Sequence, residues 1–166
     1  WRYRTSSDNG GTYGAWSTYT AGDTTGNITL SSDGTWKVQA EVTDNAGNVL
    51  IVTSGTYYID MILPDASFNP NSKAWTNQDI SVTIDPIKTG PSGIKEWKYR
   101  TSSNKGTSWG AWSSVIVGDV TNTITFSATG EYIIEAEVTT NAGLKKAIKS
   151  GVYQIDKVNP TGNLTA

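Results

Sequence analysis

Neither cysteine nor histidine occurs in the chain. Without cysteine there is no disulfide, no thiol nucleophile and no thiolate metal site, so stability has to come from packing. Without histidine the commonest general base and the commonest zinc or copper ligand are missing, and the many serines and threonines have no imidazole to activate them. Both gaps predict a protein that is not an enzyme. A dominant charge is lacking as well: 13 Lys+Arg against 15 Asp+Glu leave a net charge of −2 with no long block of either sign. That balance predicts no nucleic-acid partner and no attraction to anionic membranes. No run approaches about eighteen consecutive apolar residues, so direct membrane insertion is not expected. The opening Trp1-Arg2-Tyr3-Arg4 has no charged start followed by an apolar stretch, and so does not resemble a secretion signal. The expectation is a piece excised from a larger precursor.

What the chain does contain is repetition. Its 166 residues, 36% of them apolar, suit ordered globular structure of one to two domains. Trp1-Arg2-Tyr3-Arg4-Thr5-Ser6-Ser7 recurs as Trp97-Lys98-Tyr99-Arg100-Thr101-Ser102-Ser103, an offset of 96 (97 minus 1). The same offset carries Gly14-Ala15-Trp16-Ser17 onto Gly110-Ala111-Trp112-Ser113 and Ala40-Glu41-Val42-Thr43 onto Ala136-Glu137-Val138-Thr139. It also carries Asn45-Ala46-Gly47 onto Asn141-Ala142-Gly143, Ile59-Asp60 onto Ile155-Asp156 and Pro64 onto Pro160. The period matches a β-sandwich of roughly 100 residues. It predicts one complete repeat over 61–156, the C-terminal part of another over 1–60 (strands C, C′, E, F and G), and the first strand of a third over 157–166.

Alternation of apolar and polar residues predicts strands throughout and no helices. In the complete repeat they are A (Ala66–Phe68), B (Asp79–Ile84), C (Ile94–Thr101), C′ (Trp109–Val117), E (Asn122–Ser127), F (Glu131–Thr139) and G (Lys146–Ile155). Turn signals such as Ser103-Asn104-Lys105-Gly106 and Asn141-Ala142-Gly143 separate them. The expected core is Phe68, Ile80, Val82, Ile84, Trp97, Tyr99, Ile124, Phe126, Tyr132, Ile134, Ala136, Val138, Tyr153 and Ile155. In the partial repeat it is Trp1, Tyr3, Ile28, Leu30, Trp36, Val38, Ala40, Val42, Tyr57 and Ile59. Glu135 and Glu137 fall on the opposite strand face and read as a solvated edge. The partial repeat lacks strands A and B. The three inward aliphatics of a B strand contribute about 5–9 kcal/mol, comparable with a whole domain's stability, so this unit is not expected to stand alone.

Val42-Thr43-Asp44-Asn45-Ala46-Gly47-Asn48 and its twin Val138-Thr139-Thr140-Asn141-Ala142-Gly143 resemble the late turn of bacterial immunoglobulin-like repeats. The Gly-x-Tyr-x-Ile-Asp strands (Gly55 to Asp60, Gly151 to Asp156), each followed by a proline (Pro64, Pro160), resemble the junctions between such repeats. The resemblance implies tandem immunoglobulin-like or fibronectin III-like β-sandwiches. It also implies an extracellular setting, on the cell surface or secreted, in a spacer or stalk that presents an adhesive or other tip. The expected partners are neighbouring repeats and, through other domains, a glycan or protein of a host or cell surface.

No cofactor is expected apart from calcium. Junctions in repeats of this kind hold calcium on carboxylates, which nominates Asp44, Asn45, Asn48, Asp60 and Asp65 as ligands. In the second copy positions 44, 48 and 65 become Thr140, Leu144 and Thr161, so the same residues also read as ordinary turn and strand-end residues. Trp75, Trp109 and Trp112 could form an aromatic patch for a glycan or protein; the rival reading has Trp109 and Trp112 interleaved with Arg100 in a cation–π ladder, as Tyr13 and Trp16 would be with Arg4. The missing strands leave a third role open, that of a filament subunit completed by strand donation.

Overall fold

The computed structural model describes residues 1–164. Every regular element among them is a β-strand. The chain divides into two compact units, Trp1–Ile62 with Gly90–Ser92, and Leu63–Thr89 with the chain from Gly93 onward.

The first unit is a single antiparallel sheet of β1 (Arg2–Ser6), β2 (Gly34–Thr43), β3 (Val49–Thr53) and β4 (Tyr57–Ile59), with β2 paired to all three others. Pairing of Tyr3 with Ala40, of Val52 with Ala40, of Leu50 with Val42 and of Tyr57 with Trp36 puts these side chains on one face. This is the face expected to form the unit's core, and it is not buried. Val42 is 46% exposed and Tyr57 51%, and Trp1, Tyr3, Ile28, Leu30, Trp36, Val38, Ala40 and Ile59 are only half-buried. The reason is that no second sheet lies over them among the described residues of this unit. The stretches expected as strands C′ and E hold no strand either.

The second unit is a β-sandwich. Strands β5 (Asp65–Asn69), β7 (Ile80–Ile87) and β10 (Asn122–Phe126) form a sheet in the order β10-β7-β5; β6 (Lys73–Thr76) belongs to the other layer. That layer has the order β6-β13-β11-β8-β9, built from β8 (Ile94–Ser102), β9 (Ile116–Val117), β11 (Gly130–Thr140) and β13 (Tyr153–Ile155), and β12 (Lys145–Lys149) also pairs with β11. The strand order is that of an immunoglobulin-like sandwich, strands E, B and A facing G, F, C and C′. The period-two pattern of β7 turns Ile80, Val82 and Ile84 inward onto Trp97, Ile134, Ala136, Val138, Tyr153 and Ile155. Phe126 stacks on Tyr132 with ring centroids 4.3 Å apart.

Several details differ from the sequence expectations. The expected C′ strand shrinks to Ile116–Val117. Strand G breaks in two at Ser150-Gly151, where the Ser150 hydroxyl replaces a ladder partner by accepting the Ile134 N–H (2.9 Å). An unexpected strand, β6, runs parallel to β13. Glu135 is not on a solvated edge: it lies on β11 in the middle of the sheet, 6% exposed, because Arg100 and Lys149 cover it. Glu137 beside it pairs with Lys98. Residues 157–164 hold no strand, and Thr165 and Ala166, the end of the expected third repeat, lie outside the described residues.

Candidate functional site

The outer face of each unit carries a ladder of cations and rings. In the first unit the N–H groups of Gly14, Ser17 and Thr20 donate to the carbonyls of Thr5, Tyr3 and Trp1 at 3.0, 2.7 and 2.7 Å. Donors three residues apart thus meet acceptors two residues apart. The segment therefore follows β1 with a period of three, and Tyr13, Trp16 and Tyr19 all fall on one side. Arg2 lies over Trp16 and Tyr19 (4.9 and 4.7 Å to the ring centroids), and Arg4 over Tyr13 and Trp16 (4.9 and 4.4 Å). The second unit repeats the device: Gly110 and Ser113 donate to Thr101 and Tyr99 at 2.9 and 2.7 Å. Arg100 lies over Trp109 and Trp112 (4.9 and 4.5 Å), Lys98 over Trp112 (4.7 Å) and Lys149 over Trp109 (5.2 Å). This period of three is why the expected C′ strand forms only at Ile116–Val117.

Carboxylates hold the cations in place. Glu41 takes the Arg2 guanidinium through two oxygens, both at 2.9 Å, and accepts the Tyr19 hydroxyl. The Arg2 and Tyr19 hydrogen bonds keep Glu41 below the usual carboxylate range. Glu135 binds Arg100 at 2.5 Å, with Lys149 at 3.6 Å. Of the three tryptophans nominated for an aromatic patch, Trp109 and Trp112 are half-buried with these cations against their rings. Trp75 stands apart on β6, 57% exposed, with no ring contact to either among the described residues.

The acidic residues nominated for calcium serve local donors. Asp44 closes its own turn by accepting from the N–H groups of Ala46 (2.9 Å) and Asn48 (2.8 Å) and from the Asn48 side chain (2.8 Å). The Asn48 side-chain and backbone bonds keep it below the usual range. Asn45 is exposed at the tip of that turn. Asp60 accepts from the N–H groups of Ile62 (3.0 Å) and Ser92 (3.1 Å) within the first unit. Asp65 belongs to the second unit, where it accepts the Ala66 N–H and pairs with Lys146 at 3.0 Å. Among the described residues no group of three or more His, Cys, Asp or Glu side chains is placed to hold a metal ion.

The open face of the first sheet forms a groove of about 880 Å³ lined by Ile28, Leu30, Val38, Ala40, Val52 and Tyr57. A second depression of about 770 Å³ continues it past Trp1, Ile28 and Val42. Sequence reasoning named most of these residues, but as core. Missed altogether were Ser54 and Ser150, whose hydroxyls accept the N–H of Val38 and Ile134, each at 2.9 Å. Their identical spacing from Ala40 and Ala136 was the available signal. No protein-family model matches the chain, and a search of curated proteins finds no match to it.

Proposed function

We propose that the chain is a non-catalytic structural spacer, a stretch of tandem immunoglobulin-like repeats in a long bacterial cell-surface or secreted protein that presents an adhesive or other tip. One observation supports the reading above all: residues shared at the 96-residue spacing make contacts inside the fold. Ser6 and Ser102 each bind the N–H four residues on (2.9 and 2.8 Å), and Ser17 and Ser113 accept the N–H of Tyr3 and Tyr99 (2.9 and 3.0 Å). Ser54 and Ser150 brace the two long strands, and the arginines are clamped between rings and acids. Repetition of framework residues extends a chain by stacking units rather than by repeating a ligand site. The likeness of the Asn-Ala-Gly turns and Tyr-x-Ile-Asp strands to bacterial surface repeats supports the extracellular placement, with neighbouring repeats as partners.

Pulling the full chain between two handles in a force spectrometer tests the mechanical role. The second unit should unfold in one step that lengthens the chain by about 30 nm, the extended reach of Leu63–Ile155. Surface antibody labelling of intact cells that make the protein tests the placement. Saturable binding of a glycan or protein by the chain, lost in Trp75→Ala, would move the reading to a binding module through the exposed Trp75 ring.

A further inference from the structure

We propose that the edge strand β3 is a self-recognition site, through which two copies of the chain pair antiparallel about a two-fold axis with Ile51 opposite Ile51 of the second copy. β3 is paired on one side only, with β2. The Asp44 N–H donates to the Asn48 carbonyl (3.0 Å) and the Ser54 N–H to the Val38 carbonyl (2.8 Å), one bond at each end of the β2–β3 ladder. Hydrogen-bonded positions alternate along an antiparallel pair. Leu50 and Val52 therefore turn their backbone groups to β2, and Val49, Ile51 and Thr53 turn theirs outward. Among the described residues no strand pairs with that outward row.

An open edge at this place belongs to the complete framework. Strand β12, 96 positions later, pairs with β11 in the same register, with the Thr140 N–H on the Leu144 carbonyl and the Ser150 N–H on the Ile134 carbonyl, both at 2.9 Å. Its outer side is equally unpaired among the described residues, although the second unit has both layers. Lys145, Ala147 and Lys149 are exposed there, as Val49, Ile51 and Thr53 are in the first unit. The chemistry of the two edges differs. β12 reads Lys-Lys-Ala-Ile-Lys, and lysine is a common guard against edge pairing. β3 reads Val-Leu-Ile-Val-Thr, uncharged and mostly β-branched, with Val49 59% and Ile51 50% exposed on the face that carries Glu41, away from the groove.

Charge selects the occupant. Two-fold pairing of β12 about Ala147 would set Lys145 against Lys149 of the other copy on both sides of the axis, and like charges directly opposite repel. The same pairing of β3 about Ile51 sets Val49 against Thr53 and Leu50 against Val52, with no charge to meet. It also gives the outward N–H and C=O groups of Val49, Ile51 and Thr53 their partners. Five residues that match their own reversal in this way fit a second copy of this chain. A two-fold contact of this kind closes on itself, so assembly stops at a dimer. The pairing rests on β3 and not on the spacer role.

Sedimentation of the full chain over a range of concentrations, with hydrogen exchange read residue by residue, tests the pairing. A monomer–dimer equilibrium is expected. As the dimer fills, the amides of Val49, Ile51 and Thr53 should slow, while those of Leu50 and Val52, already bonded to β2, change little. The double variant Val49→Lys, Thr53→Lys gives β3 the lysines that β12 carries at the same places, and should raise the dimer dissociation constant about tenfold or more. Unchanged protection of the Leu50 and Val52 amides checks that its strand is intact. The variant Val49→Glu, Thr53→Lys sets opposite charges across the axis and should restore the dimer. A chain that stays monomeric at millimolar concentration would overturn the proposal, as would a dimer without slowing at Val49, Ile51 and Thr53. So would a dimer unmoved by the two lysines, a charge pair that restores nothing, or assembly that runs on past two copies.

Discussion

Tyr57 and Tyr153 occupy the same repeat position, each on the strand that pairs with the start of a long central strand. Tyr153 is fully buried, donates its hydroxyl to the Pro70 carbonyl at 2.7 Å and lies 5.8 Å from the Phe126 ring. Burial pushes its phenol up to about 12. Tyr57 is 51% exposed. Replacing each by alanine is therefore one chemical change in two degrees of burial. An aromatic side chain that buries about 150–200 Å² at ~25 cal/mol per Å² contributes about 4–5 kcal/mol. The lost hydroxyl bond adds about 1 kcal/mol. Tyr153→Ala should thus cost the second unit about 4–6 kcal/mol, while Tyr57→Ala, with half the area to lose and no hydroxyl bond among the described residues, should cost the first unit about 2 kcal/mol or less. Hydrogen exchange of the β11 and β2 amides in denaturant reads the two units separately. Equal losses would refute the argument, because they would mean that the face around Tyr57 is as well covered as the one around Tyr153.

Arg100→Ala removes the cation between Trp109 and Trp112 and leaves buried Glu135 with only the longer Lys149 contact; it should cost about 1–3 kcal/mol and shift tryptophan emission to the red, an emission shift that Arg100→Lys should limit. Ser150→Ala strands the Ile134 N–H in the core and should cost about 1–3 kcal/mol in urea unfolding, whereas the same change at Ser54, on the open sheet, should cost less. Acid should destabilise both units. Glu41, Asp44, Asp65 and Glu131 all sit below their ordinary values, and Asp8 falls from 3.8 to about 2 because the Ser6 hydroxyl and the Thr12 N–H bind its carboxylate. A depressed folded-state value means stability that is complete above the ordinary carboxylate range and lost as pH falls through the folded value. Far-UV circular dichroism should therefore show urea midpoints level from neutral down to about pH 5 and falling toward pH 2; a rise on acidification would contradict the assignment.

Period-two alternation was enough to mark β7, β8, β10 and β11 with most of their inward residues, because a strand between two layers shows its faces in its residue types. The 96-residue offset likewise carries Ser6 onto Ser102 and Ser17 onto Ser113, and each pair makes matching hydrogen bonds in its own unit. Alternation could not reveal that Trp109, Gly110 and Trp112 follow β8 with a period of three, since that register is set by hydrogen bonds to Thr101 and Tyr99. Nor could it tell that Glu135, polar and on the outer face, is covered from above by Arg100 and Lys149.

The sequence by itself determined which residues share a face along the long strands, since that follows from the two-residue pleat. Tertiary structure alone decided burial. Val38 and Ile134 occupy the same place on their strands, yet Ile134 is fully buried and Val38 half-open. The difference is the sheet of β5, β7 and β10 packed over Ile134, and burial depends on that opposing layer rather than on the residue.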